Sequence, residues 1–136
     1  MVELELSNRE FRRLLDLVYI GNWIMNSARG EDRIEEYDDL ESKIFLKCAE
    51  TGAKGLYELD HGVIVPSKAF REGGIHEAIM DYEDTVFYEI LAEELARRDL
   101  GEEPVTPEGW TELSERVEEY IAEFEEHGVE NITLQD

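Results

Sequence analysis

The sequence predicts an α+β domain that is predominantly α: a four-helix core with a small antiparallel β-sheet formed by a hairpin and the chain termini. Three observations carry this expectation. Four long stretches repeat apolar residues at helical spacing, each bounded by residues that start or stop a helix. Between the second and third stretch, two short apolar runs flank Asp60-His61-Gly62, the composition of a hairpin turn. Both ends of the chain alternate, with Val2, Leu4 and Leu6 against Glu3 and Glu5 at one end and Ile132 and Leu134 about Thr133 at the other. That is the two-residue period of a strand with one dry face.

Ser7 with Glu10 three residues on is a capping box, and it opens a first helix expected over residues 8–28. Phe11, Leu14, Leu15, Val18 and Met25 form one stripe of this helix, while Leu17, Ile20 and Ile24 point nearly the opposite way. A helix apolar on two opposite sides is expected at the centre of a bundle or against a partner. Gly30 ends it, and the short Gly-Glu-Asp connection suits an antiparallel hairpin with a second helix over 32–50. Ile34, Tyr37, Leu40, Ile44, Phe45 and Cys48 make the buried arc of that second helix. Acid at its start and Lys43 and Lys47 near its end match the helix dipole, and Gly52 is its stop.

Residues 56–59 and 63–65 read as strands about a three-residue turn, with Pro66 ending the second. Residues 67–74 read as a loop or helical turn, and Gly73-Gly74 as a joint before a third helix over 75–100. Gly101 closes that helix, and 102–106 are expected to be linker. Thr106-Pro107, an N-cap followed by proline at the first helical position, opens a fourth helix that His127 and Gly128 finish. Trp110, Leu113, Val117, Tyr120, Ile121 and Phe124 give this helix the cleanest amphipathic pattern in the chain.

A length of 136 residues with 42% hydrophobic side chains suits a single domain, 1–136, with its own core. A net charge of −22 argues against direct binding of nucleic acid or of an anionic membrane, both of which would repel it. One cysteine, Cys48, excludes an internal disulfide framework and fits a reducing compartment. No apolar run approaches the roughly 18 residues of a membrane span, and the acidic start lacks a signal-peptide pattern. The expected localisation is therefore cytoplasmic.

Polar residues on apolar arcs carry the functional information, because burying them unpaired costs several kcal/mol. Asn22 and Arg29 fall on the main stripe of the first helix, and Asn26 lies close beside it. Glu41 sits near the centre of the buried arc of the second helix, level with Gly21 and Asn22 if the two helices form a hairpin. His76 and Glu83 share the seam between two apolar stripes of the third helix. The set Asn22, Arg29, Glu41, His76 and Glu83 is expected to be a buried hydrogen-bond and ion-pair network, with Arg29 neutralising one carboxylate and Asn22 holding another. No cofactor is required by that reading. The alternative is a divalent metal held by Glu41, His76 and Glu83, although the Glu-x-x-His pair of a ferritin-like site is missing.

Glu35, Glu36, Asp38 and Asp39 with Asp81 and Asp84 resemble the paired acidic motifs of all-α nucleotide pyrophosphatases, which implies a metal-dependent hydrolase. Asp39, Asp81 and Asp84 point away from the apolar arcs, however, and a solvated helix face accounts for them. Residues 101–136 hold twelve carboxylates and one arginine, so half the net charge lies there. Solubility explains that face; a basic protein partner, met by a nucleic-acid-mimicking decoy, is the sharper reading. The expectation that best joins these features is a non-enzymatic interaction module that self-associates as a homodimer, a partner subunit covering the second apolar face of the first helix.

Overall fold

The computed structural model describes residues 1–101 and 103–135, and it is an α+β structure made mostly of helix. In chain order it runs α1 (Asn8–Asn26), α2 (Glu35–Leu46), β1 (Tyr57–Asp60), β2 (Val63–Pro66), a short α3 (Lys68–Phe70), α4 (His76–Leu100) and α5 (Pro107–His127). The chain divides into two compact units, Met1–Ile79 and Met80–Asp136, with the boundary inside α4.

In the first unit, α1 opens on the expected capping box. The Ser7 hydroxyl accepts from the Glu10 amide at 3.1 Å, and the Glu10 carboxylate accepts from the Ser7 amide at 3.0 Å. The helix stops at Asn26, earlier than expected, and α2 begins only at Glu35. The cause is Asn26 itself, which is fully buried. Its side-chain amide donates to the Ile34 carbonyl at 3.0 Å and its oxygen accepts from the Ile34 amide at 2.8 Å. Asn26 thus pairs with a passing backbone as a strand would, and fixes the path of the whole 27–34 connection.

α2 tightens into a 3-10 turn at Lys47–Glu50, and a second such turn at Lys54–Leu56 leads into the hairpin. β1 and β2 pair antiparallel with Asp60 opposite Val63, so the turn has two residues rather than the expected three. His61 and Gly62 both have positive φ, 51° and 81°. Positive φ at both central positions is the type I′ requirement, whose twist matches that of the strands. The sheet consists of these two strands, and the expectation that both termini join it is corrected: residues 1–7 and 132–135 are in no strand. The edge of β2 is already used, since the Ser42 hydroxyl of α2 donates to the Ile64 carbonyl at 2.6 Å, and Pro66 brings no N–H. Val2, Leu4 and Leu134 accordingly stay exposed.

Ser67 caps α3 and donates to the Gly55 carbonyl at 2.6 Å, tying the chain after the hairpin to the chain before it. A widened turn at Arg71–Ile75, with Gly74 at φ 109°, then leads into α4. Leu15, Tyr19, Phe45, Cys48, Phe70 and Ile79 form the core of this unit. Phe70 meets both Tyr19 and Phe45 edge-to-face, with centroids 5.3 and 5.0 Å apart.

In the second unit, the Thr106 hydroxyl accepts from the Gly109 amide at 3.1 Å to cap α5, with Pro107 at its first position. Ala92, Ala96, Leu113 and Phe124 are buried, and Phe124 meets the rings of Tyr88 and Tyr120. Asp99 of α4 ties the two helices together. It accepts from Arg116 at 2.8 and 3.0 Å, from Arg98 and from the Tyr120 hydroxyl, and these donors hold its carboxyl well below the usual range. The expected 102–106 linker includes residue 102, which lies outside the described residues. No helix among the described residues is long and apolar enough to cross a membrane.

Candidate functional site

The buried face of α1 carries a polar relay through the first unit. Asn26 donates to the Asn22 side-chain oxygen at 2.7 Å, and the Asn22 amide donates to Asp38 of α2 at 3.0 Å. Asp38 in turn accepts from Arg33 Nε at 2.6 Å and Nη2 at 2.8 Å. This two-pronged grip, helped by the Asn22 amide, holds the Asp38 carboxyl below its usual range. Every buried side-chain polar atom among the described residues has a partner. The relay therefore has the satisfied geometry that lets polar groups sit inside a core without a penalty for burial.

A cleft of about 660 Å³ opens beside the relay, lined by residues of α1, α2, the hairpin and Arg71. Tyr19, Trp23 and Asn22 come from α1; Asp38, Glu41 and Ser42 from α2; Glu58, Asp60, Val63 and Val65 from the hairpin. Glu41 stands apart from the other acids. Arg33 is taken by Asp38, and Arg71 lies 3.6 Å from Glu58, while Asp60 leans on His61 at 2.7 Å. Among the described residues no cation is ion-paired to Glu41. Burial pushes its carboxyl up to about 7; the Asp38 charge adds to the rise, and the nearby Asn22 amide and Arg33 work against it.

The Tyr19 hydroxyl and His76 Nε2 share a hydrogen bond of 2.6 Å. Burial first, and the Glu41 charge second, raise the Tyr19 hydroxyl above its ordinary range, with Arg71 pulling it down. The His76 ring stands edge-on to Trp23 with centroids 4.8 Å apart. A second hollow, which shares Tyr19, Trp23 and Arg71 with the cleft, is lined also by His76, Glu72 and Glu77.

Of the five residues expected to form the network, Asn22 is buried in the relay, and Glu41 and His76 are half-buried within the same unit. Arg29 is corrected: it lies past the end of α1, exposed, donating to the Met25 carbonyl at 2.7 Å and paired with Asp32 at 3.0 Å. Arg33, rather than Arg29, neutralises a carboxylate of the network, that of Asp38. Glu83 is corrected as well, being exposed on α4 in the second unit. No group of three or more His, Cys, Asp or Glu side chains among the described residues is placed to hold a metal ion. Asn26, which spacing put beside the stripe but outside the expected set, joins the network with Arg33 and Asp38. The i, i+4 pair Asn22 and Asn26 on a buried stripe was the available signal for the first of them.

The chemistry on offer is ionic and hydrogen-bonding. A carboxyl near 7 gives or takes a proton close to neutrality, but the Ser42 hydroxyl beside it is spent on the Ile64 carbonyl. Cys48 is buried in the core, with its thiol pushed up by that burial. No family model, curated protein or solved structure matches the chain.

Proposed function

We propose that the protein is a non-enzymatic interaction module that self-associates through the outer face of α1. The observation that carries this reading is Gly21. It lies in the middle of α1, exposed, and a Cβ built there meets nothing within 4 Å. A mid-helix glycine costs about 1 kcal/mol relative to alanine, and nothing within the chain uses the space it leaves. Leu17 and Ile24 flank it on the same face, 69% and 61% exposed, opposite the buried Leu15, Tyr19, Asn22 and Asn26. A second copy of α1 crossing at Gly21 would bury these apolar side chains with close backbone approach.

Two chains of net charge −22 repel, but along the row of Leu17, Gly21 and Ile24 the helix carries Glu10 and Arg13, whose charges offset each other. α4 also exposes Met80, Phe87 and Ile90, but Glu83 and Glu94 stand in that row. Completing the burial of Leu17 and Ile24 on both copies contributes on the order of 6 kcal/mol before the cost of association. The dimer is therefore weaker than tens of micromolar, and added salt strengthens it by screening the like charges.

Light scattering after size exclusion tests this over a wide concentration range at low and high salt. The expected mass rises from 15.8 kDa toward twice that value with concentration, and faster at high salt. Leu17→Glu with Ile24→Glu should hold the protein monomeric, and Gly21→Leu should weaken association while leaving the fold intact. A monomer at every concentration, or a double variant that associates like the wild type, overturns the proposal.

A further inference from the structure

We propose that the cleft lined by Tyr19, Trp23 and Glu41 binds an organic cation, a primary ammonium head on a short apolar stem. This goes beyond self-association and does not rest on it, since the face of α1 that lines the cleft is not the one carrying Leu17 and Ile24.

The argument is one of charges already spent. Four carboxyl groups line the cleft against two guanidinium groups. Asp38 and Arg33 neutralise each other through two hydrogen bonds, Glu58 stands against Arg71, and Asp60 is exposed to water, its hydrogen bond to His61 leaving its charge in place. What remains is Glu41, half-buried with no cation of its own, in a cavity whose volume suits a small molecule. A ligand ammonium supplies the missing charge and donates to the Glu41 carboxylate. Tyr19 and Trp23 offer aromatic surface to a cation or its stem, and Val63 and Val65 add apolar wall. An anion would find Arg33 committed and would meet the Glu41, Glu58 and Asp60 carboxylates.

The mode of binding fixes its pH dependence. The groups facing Glu41 are Asn22 and Tyr19 of α1, Arg33 of the 27–34 connection, Asp38 of α2, Glu58 and Asp60 of β1, and Arg71. Because burial holds Glu41 near 7, a cation that pairs with its ionised form releases a proton to solvent on binding at lower pH. The carboxylate fraction rises from about one-tenth at pH 6 to about nine-tenths at pH 8, so affinity rises about tenfold between them.

The test is an NMR titration of the full chain, kept dilute, with n-butylammonium, n-butanol and butyrate as probes at pH 6 and pH 8. The expected result is saturable shifts at the Trp23 indole and Ser42 amide with n-butylammonium alone, about tenfold tighter at pH 8 than at pH 6. Glu41→Gln should lose at least tenfold in affinity together with the pH dependence, while Glu41→Asp keeps part of both. Nα-acetyl-lysine amide, whose side-chain ammonium stays free, distinguishes the source of the head group: binding as tight as n-butylammonium or tighter points to a protein side chain, weaker binding to a free amine. Equal binding of n-butanol, tighter binding of butyrate, unchanged affinity in Glu41→Gln, or no saturable shift with n-butylammonium at pH 8 each overturns the proposal.

Discussion

Glu41→Gln separates the cost of the cleft from its use. In the unfolded chain the carboxyl has its ordinary value of 4.5, while in the fold burial raises it to about 7. A group raised on folding favours the fold while protonated. Its contribution is fully present below 4.5, falls as pH rises because the unfolded state ionises first, and is gone above about 7. Taken at face value, that interval corresponds to a ceiling of about 3.4 kcal/mol. Water reaches part of this half-buried side chain, so the effective figure is about 1–2 kcal/mol. Glutamine keeps the shape and cannot ionise. Urea unfolding of wild type and variant from pH 4 to pH 8 should show the variant gaining that much relative to wild type between about pH 4.5 and 7, then holding constant. The pH dependence of the other carboxylates cancels in the difference. Parallel curves would show that Glu41 is solvated like any surface acid, and would remove the strained carboxyl that the cation-binding argument uses.

Two further outcomes follow from the same structure. Asn26→Ala removes three hydrogen bonds and leaves the Ile34 amide and carbonyl and the Asn22 oxygen without partners; at about 1 kcal/mol or more each, urea unfolding should show a loss of about 3 kcal/mol, and a loss under 1 would mean the connection is fixed by other contacts. Gly21→Ala meets open space in a helix interior, so it should raise the stability of the dilute protein by about 0.5–1 kcal/mol, and a loss would reveal a contact within the chain.

What sequence made legible was local. The Ser7–Glu10 capping box, the Thr106-Pro107 start and the hairpin depend on residues a few positions apart; the first two form where spacing placed them, and the hairpin forms there with Asp60 drawn into the strand and a turn one residue shorter. Glu41 was legible as an acid on an apolar arc facing the first helix. The errors arise where a side chain reaches across a connection. Asn26 shortens α1 by bonding to Ile34, eight residues on, and that moves Arg29 off the helix and brings Arg33 to Asp38 in its stead. Periodicity carries no information on where a buried amide will find its backbone partner. The termini erred for a related reason: Val2-Leu4-Leu6 has the right alternation, but the β2 edge is spent on Ser42, a residue that helical spacing placed on α2 without showing which way its hydroxyl turns.

The relay and the cleft are linked through Arg33. Asn26 needs a partner for its second amide hydrogen and takes the Asn22 oxygen; Asn22 then presents its own amide to Asp38, and Asp38, held as the carboxylate, draws in Arg33. The steps run from the buried Asn26 and Asn22 to the half-buried Asp38, and the last consumes a cation that would otherwise serve Glu41. The fold thus leaves one acid uncompensated as a by-product of closing the 27–34 connection. In a chain of net charge −22, the surrounding field keeps that acid protonated longer and draws cations toward it. A small inorganic cation would need several oxygens to replace its water, and the nearest ones, on Asp38 and Asn22, already serve Arg33 and Asn26. An organic cation needs one carboxylate and a wall for its stem. That is the demand the cleft meets, and it makes the stability the wild type loses between about pH 4.5 and 7 the measure of what a bound ammonium would restore.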